Sequence, residues 1–339
     1  MYRWLRSGLF VLPPEAAHDV ALNALAAGRI VGLPRLLAGC RQSAPVEIMG
    51  LSFPNPVGLA AGLDKNGDFI DALGQLGFGF IEVGTVTPKP QPGNPKPRMF
   101  RLTEHQALIN RLGFNNKGVD HLVERLKRRR FKGIVGANIG KQKDTPVERA
   151  ADDYRLCLEK VYPHCDYVTV NISSPNTANL RALQDTGPLR ELLADLTGLR
   201  DRLAETHQVC RPVLIKIAPD WDDRALEASL GVIGDSGIDG LIATNTTLAR
   251  EPVAGHQYAG EAGGLSGAPV KAYSDHVLKL ARRTLGPDFP IIGLGGITSG
   301  QDAVDKKQAG ADLVQIYTGF IYQGPGLIRD CIQAWDEAG

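Results

Sequence analysis

Eight short runs rich in β-formers, at residues 57–61, 80–86, 134–139, 167–172, 213–217, 240–244, 290–294 and 312–317, alternate with stretches of helical pattern such as 119–130, 147–161, 188–205 and 222–236. This alternation constrains the fold more than any other feature of the chain. Near-continuous apolar strands separated by helices imply a parallel sheet covered by helices, because each strand needs a crossover to return to the same edge. Eight such units over residues 46–339 are what a (β/α)8 barrel requires, whereas doubly wound sheets usually close with fewer. The expected fold is α/β, a (β/α)8 TIM barrel behind a small N-terminal helical extension.

In such a barrel, ligands bind where strands run into the following loops. The eight runs lead into Gly62-Leu63-Asp64-Lys65-Asn66, Gly84-Thr85-Val86-Thr87, Asn138-Ile139-Gly140-Lys141, Asn171-Ile172-Ser173-Ser174-Pro175-Asn176-Thr177, Lys216, Thr244-Asn245-Thr246-Thr247, Gly293-Leu294-Gly295-Gly296 and Tyr317-Thr318-Gly319. Every end carries amide, hydroxyl, ammonium or glycine groups. Taken alone, the stretch 171–177 is better explained by a Ser/Asn/Pro turn closing a strand. Among seven other polar strand ends it reads as part of a site, with two asparagines offering paired donors and acceptors and Ser174 placed to take or relay a proton.

The chemistry available at these ends is narrow. Gly295, Gly296, Tyr317 and Thr318 follow strands seven and eight, where barrels commonly bind phosphate through backbone N–H groups. Lys65 and Lys216 would be costly to bury unpaired, so each should face a negative charge; at strand edges such lysines are otherwise usually solvated. Asp64 is the only acid at the strand ends, which argues against hydrolysis by a carboxylate pair, and the seven histidines form no metal-ligand spacing. The chemistry must then come largely from a cofactor. A phosphate site, a cation and several amides suit flavin mononucleotide, FMN, whose reduced ring a lysine can stabilise.

Composition narrows the partners. Of the residues, 43% are hydrophobic and 22% charged, with a formal charge of +1, so no broad electrostatic field argues for nucleic acid. Cys40, Cys157, Cys165, Cys210 and Cys331 form no C-x-x-C pair, which suits a reducing compartment. The start, Met1-Tyr2-Arg3-Trp4-Leu5-Arg6, is basic, but the apolar patch after it is short and broken by Pro13 and Pro14, so neither a secretory signal nor a spanning helix is expected. A helix is expected over 15–28, with Ala17, Val20, Ala21, Ala24 and Leu25 on one face, followed by a second apolar piece over 30–37. With Arg3, Arg6, Arg29, Arg35 and Arg41 around them, these pieces fit a segment lying in a membrane interface, or equally an N-terminal hairpin packed on the main domain.

Several long motifs resemble the dihydroorotate dehydrogenases, flavin-containing barrels of pyrimidine synthesis. They are Ala60-Ala61-Gly62-Leu63-Asp64-Lys65-Asn66, Glu82-Val83-Gly84-Thr85-Val86-Thr87-Pro88, Asn110-Arg111-Leu112-Gly113-Phe114-Asn115-Asn116, the stretch 171–177, Gly264-Leu265-Ser266-Gly267 and Gly293-Leu294-Gly295-Gly296-Ile297. The similarity runs in order from about Leu9 to the last helix. Ser174 stands where the soluble enzymes of that family carry cysteine, which points to the quinone-dependent, membrane-associated class. That class has two short N-terminal helices forming a hydrophobic quinone entrance, implying a division into residues 1–42 and a catalytic barrel of 43–339.

The resemblance implies that (S)-dihydroorotate is oxidised to orotate for UMP synthesis. Ser174 takes the C5 proton, hydride passes from C6 to the flavin, and ubiquinone or menaquinone accepts the electrons. Lys65, Asn110, Arg111, Leu112, Gly113, Phe114, Asn171, Asn176, Asn245 and Thr246 are implied as substrate residues, with Thr177 and Phe114 supporting a proton relay. Ala61, Gly62, Leu63, Asp64, Lys65, Thr85, Asn138, Asn171, Lys216, Thr244, Gly267, Gly296, Tyr317 and Thr318 are implied for FMN. His18, in Pro14-Glu15-Ala16-Ala17-His18, and Arg101 are implied for quinone, although a lone histidine there would more often be a surface or capping residue. The implied protein is a monomer held peripherally on the cytoplasmic side of the inner membrane. The rivals are the soluble class, which passes electrons to fumarate or NAD, a flavin-free phosphate-binding lyase or isomerase, and a non-enzymatic membrane scaffold.

Overall fold

The computed structural model describes residues 2–38 and 43–339. Cys40, Arg41, the Arg3 side chain and the 42/43 junction expected between segments lie outside the described residues. In chain order the strands are β1 (Val46–Ile48), β2 (Leu51–Phe53), β3 (Val57–Leu59), β4 (Phe80–Val86), β5 (Met99–Leu102), β6 (Ala107–Asn110), β7 (Ile134–Ile139), β8 (Tyr167–Asn171), β9 (Val213–Ile217), β10 (Gly240–Ala243), β11 (Gly264–Gly267), β12 (Ile291–Leu294) and β13 (Leu313–Ile316). The eight strands β3, β4, β7, β8, β9, β10, β12 and β13 close a barrel in that order, and the register of every neighbouring pair is parallel. These are the eight runs expected from sequence, each within two residues at either end.

Alternation along each strand divides the two faces. Ile81, Val83, Val135, Val168, Ile215 and Leu241 turn outward into the layer of helices. Phe80, Tyr167, Leu214, Ile242, Ile292 and Leu313 turn inward and pack with Phe53, and with Val46, Ile48 and Leu51 of the antiparallel β1–β2 hairpin, sealing the lower end. One step of two further along, the inward positions change character to Glu82, Asn138, Thr169, Lys216, Thr244 and Gln315, all buried. The barrel is therefore apolar below and polar above.

The remaining architecture frames the upper mouth. An antiparallel sheet of β5, β6 and β11, with β6 in the middle, lies across it on its own core of Phe100, Leu102, Ile109, Leu265 and Val270. None of these strands is legible as a barrel unit, because they pair with one another rather than through crossovers.

The N-terminal helices are α1 (Tyr2–Leu9), α2 (Pro14–Gly28) and α3 (Leu33–Ala38), where two were expected. They dock through specific contacts: Tyr2 Oη donates to the Ile321 carbonyl (2.6 Å), Arg6 to the Tyr322 carbonyl (2.8 Å), and Arg98 and Arg29 pair with Glu15 and Asp71 at 2.9 and 2.7 Å. Arg6 and Arg29 thus bind the domain rather than fringe a free segment. The face expected on α2 is split: Ala17 and Leu22 are buried, but Val20 and Ala24 are exposed, because the helix rests on the barrel through a stripe centred nearer Leu22. Trp4, Leu5, Val11, Leu12, Val20, Ile30, Val31 and Leu36 are large and exposed, whereas among the described residues beyond 36 only Leu156 and Leu248 are.

Candidate active site

The polar ends of the barrel strands and the β5–β6–β11 sheet enclose a cavity of about 1000 Å³, part of it open to solvent. Its wall brings together Ala61, Gly62, Lys65, Thr85, Asn110, Leu112, Gly113, Phe114, Asn171, Ser174, Asn176, Lys216, Thr244, Asn245, Thr246, Gly267, Gly296, Tyr317 and Thr318. Motifs separated by as many as 250 residues meet here because every barrel strand runs the same way and ends at one rim.

Two lysines stand out. Lys216, on β9, is buried, and Lys65, in the loop after β3, is half-buried. Among the described residues neither has a hydrogen-bond or ion-pair partner. Burial, then the charge of Arg98, pushes the Lys65 pKa down to about 8, and burial lowers that of Lys216 against the opposing pull of Glu82. A buried cation without a partner costs several kcal/mol, on the order of a lost ion pair, so both call for an anionic ligand.

Ser174 is buried at the wall, and its Oγ accepts the Asn176 N–H at 3.2 Å. The Asn176 amide donates to the Asn110 carbonyl at 3.2 Å, tying the Ser174 loop to β6. Arg181 holds the loop from behind: Nε donates to the Ser173 carbonyl (3.1 Å), one terminal nitrogen to the Thr246 carbonyl (3.1 Å), and the other pairs with Asp220 (2.7 Å). Asp220 in turn accepts from the Thr247 hydroxyl and the Leu248 N–H, so three loops are cross-linked around the site.

Some expected residues stand elsewhere. Leu63 and Asp64 do not line this cavity; the Asp64 carboxylate turns back to accept the Asp68 and Phe69 N–H groups at 2.9 and 2.8 Å, and burial raises its pKa to about 6. Arg111 points away to Glu261 (2.5 Å) and over the Phe100 ring (4.6 Å). Asn138 lies beneath the wall, and Thr177 is buried off it. His18 lines a second cavity with Glu15, Asp19, Met99 and Lys117, where burial and Lys65 depress its pKa to about 4 and so keep it neutral. The two cavities share Lys65, Leu112 and Tyr317 in their walls. Arg101 lines neither; it donates to the Phe10 carbonyl at 3.0 Å with its guanidinium 4.0 Å over the Phe10 ring.

Sequence reading missed Glu82, Thr169, Gln315, Arg181 and Asp220. Glu82 had a readable signal: it is the one charged residue in the seven-residue apolar strand β4, two positions after the inward-facing Phe80. The role of Arg181 had none, since its partners come from three separate loops.

A closed parallel barrel with unpartnered lysines and fixed amides at its upper mouth defines an enzyme of the (β/α)8 class with a site for an anionic ligand. Comparison with known proteins narrows this. The family model described as Dihydroorotate dehydrogenase matches residues 43–337. A Marinomonas protein named Dihydroorotate dehydrogenase (quinone) is 57% identical over 336 residues, covering 99% of this chain and 97% of its own. One of the same name from Azotobacter vinelandii is 57% identical over 334 residues, covering 98% and 96%. Among solved structures, Eimeria tenella DHODH in complex with ferulenol superposes with a TM-score of 0.86 at 36% identity, over 96% of this chain and 95% of that one. The chain belongs to the dihydroorotate dehydrogenase family.

Proposed function

We propose that this protein oxidises (S)-dihydroorotate to orotate in de novo pyrimidine biosynthesis, with FMN in the main cavity and a membrane quinone as electron acceptor. The observation that carries the reading is the pair of partner-free lysines, Lys65 and Lys216, in one cavity whose other polar groups are amides and hydroxyls. The residues fit FMN: among the described residues no carboxylate lines the wall, Lys216 lacks a partner, and no acceptor takes the Gly296 N–H. Gly296, Tyr317 and Thr318 would hold the phosphate, while Thr85, Asn171, Thr244 and Lys216 would hold the ring. When bound, FMN supplies the hydride acceptor and the electron transfer to quinone.

The chain's own part is binding, orientation and proton movement. Lys65 pairs with the substrate carboxylate, and Asn110, Asn171, Asn176 and Asn245 with Thr246 read the ring amides. Ser174 Oγ takes the C5 proton. A serine hydroxyl titrates far above neutrality and is not ionised beforehand, so its own proton must pass to water at the solvent-open side of the cavity as the C5 proton arrives. The Asn176 N–H at 3.2 Å stabilises negative charge developing on Oγ.

Two expected outcomes arise here. The carboxylate needs Lys65 protonated, and its pKa stands at about 8. The KM for dihydroorotate should therefore be flat below that pH and rise about tenfold per unit above it, a trend that Lys65→Met removes while raising KM throughout. Gly296 has φ +79°, and an added Cβ would lie 2.4 Å from the Lys271 Cα. A left-handed non-glycine residue costs about 1–2 kcal/mol before the clash is counted, so Gly296→Ala should weaken FMN binding more than tenfold, read by flavin fluorescence on dilution.

The second cavity and the N-terminal helices support a quinone route. His18 faces that cavity, which shares Tyr317 and Leu112 with the FMN wall, and the exposed Trp4, Ile30, Val31 and Leu36 suit contact with lipid. No helix among the described residues is long and apolar enough to cross a membrane. We place residues 1–42 as the entrance segment of a monomer bound peripherally to the cytoplasmic face of the inner membrane. The test is direct: the purified protein should be yellow, bleach with dihydroorotate without oxygen, and reoxidise with ubiquinone or menaquinone far faster than with fumarate or NAD. A colourless protein, or preference for fumarate, overturns the reading.

A further inference from the structure

We propose that Glu82, below the cavity and out of reach of any ligand, determines specificity by fixing which end of each ring-reading amide donates and which accepts. The inference rests on the reading of the site as a dihydroorotate site. Glu82 is completely buried, and four donors converge on its carboxylate: Asn138 Nδ2 at 2.8 Å, Tyr167 Oη at 3.0 Å, Thr169 Oγ1 at 3.1 Å and Gln315 Nε2 at 2.8 Å.

A carboxylate in that setting only accepts, so Asn138 must turn its NH₂ downward and its Oδ1 upward. Oδ1 then takes the Thr85 hydroxyl at 2.5 Å. With its single proton committed, Thr85 can only accept from Asn171, whose Nδ2 lies at 3.1 Å. Asn171 Oδ1 is thereby turned toward Ser173, accepting its N–H at 3.2 Å and its hydroxyl at 3.0 Å. The Ser173 hydroxyl, likewise committed, accepts Asn245 Nδ2 at 2.9 Å. Asn245 is left presenting Oδ1 on its other side, where it takes the Thr246 N–H at 2.8 Å.

Each link agrees in direction with the one before it, and the file is held at both ends, by the Glu82 carboxylate below and by the fixed backbone N–H groups of Ser173 and Thr246 above. Asn171 and Asn245, at the upper end, both line the cavity. Reversing either amide would exchange a donor for an acceptor, and a buried mismatch with a ring N–H or carbonyl is what separates close analogues. The expected ligand is thus a ring whose donor–acceptor order matches one fixed sense of these amides.

The test compares orotate with its 2-amino analogue, which presents an amino donor in place of one carbonyl and an unprotonated nitrogen in place of one N–H. Dissociation constants are read from the flavin absorption change. In the unaltered protein orotate should bind much more tightly. In Glu82→Gln, whose amide can satisfy either orientation of Asn138, the ratio of the two constants should fall at least about tenfold. Thr169→Val removes a donor from the same carboxylate but no link of the relay, and should leave the ratio unchanged. Asn138→Leu keeps Glu82 with its other three donors, cuts the relay above it, and should lower the ratio as Glu82→Gln does. It decides the matter if Glu82→Gln does not fold. Equal weakening of both ligands, or an unchanged ratio in a folded Asn138→Leu protein, overturns the proposal. Failure of the unaltered protein to bind orotate would instead overturn the functional reading beneath it.

Discussion

Ser174→Ala should lower the rate at which dihydroorotate reduces the bound flavin by about a thousandfold or more, within the range a positioned general base contributes. Stopped-flow bleaching of the flavin band reads this rate directly. The flavin spectrum and the orotate dissociation constant should change little, because the anchors of the surrounding loop do not involve this side chain. Ser173 is bonded to Asn171 and Asn245, Arg181 grips the Ser173 carbonyl, and Asn176 reaches the Asn110 carbonyl. Only the 3.2 Å bond from the Asn176 N–H to Ser174 Oγ is lost. Rapid bleaching in the alanine variant would remove Ser174 from the mechanism and leave proton abstraction to another group at the wall.

Deletion of residues 2–40 should separate the two half-reactions. Flavin reduction by dihydroorotate should stay within a few-fold, since none of the described residues among them lines the main cavity. Turnover with a long-chain quinone in vesicles should fall by well over tenfold, because the deletion removes His18 from the second cavity and strips away the exposed apolar surface of Trp4, Val11, Ile30 and Val31. Some loss of stability will accompany it. Arg98 and Asp71 lose their partners Glu15 and Arg29, each partly buried pair being worth roughly 1 kcal/mol. The double variant Trp4→Glu with Ile30→Glu avoids that cost, since both side chains are exposed, and should weaken vesicle binding in a flotation assay while leaving the docking contacts intact. Undiminished quinone turnover in the deletion would refute the entrance.

The barrel was legible because burial on both faces writes a strand as a nearly unbroken apolar run, and residues 80–86, 134–139 and 213–217 coincide with observed strands. The β5–β6–β11 sheet was not, because its strands take their hydrophobic pattern from a small satellite core. Which face of α2 meets the domain was not legible for a related reason. Its period is plain in the sequence, but apolar residues lie on two sides, and which side meets the domain depends on where Glu15 and Arg29 find Arg98 and Asp71. Asp64 and Arg111 illustrate the limit for site residues: proximity in a motif does not give side-chain direction, and both turn to partners away from the cavity.

The sequence by itself determined the alternation of strands and helices, the rim at which polar groups collect, and the identity of Ser174, Lys65 and Lys216 as residues near that rim. These follow from local pattern and strand direction, which are properties of single segments. Only the tertiary structure decided that the two lysines have no partner among the described residues, that Arg181 binds three loops together, and that Glu82 takes four donors beneath a file of amides. Those facts depend on which groups come within about 3 Å of one another, the reach of a hydrogen bond, once the barrel has closed. A one-dimensional pattern carries no such distance between β4 and β13, whose Glu82 and Gln315 are 233 positions apart in the chain and 2.8 Å apart in the fold.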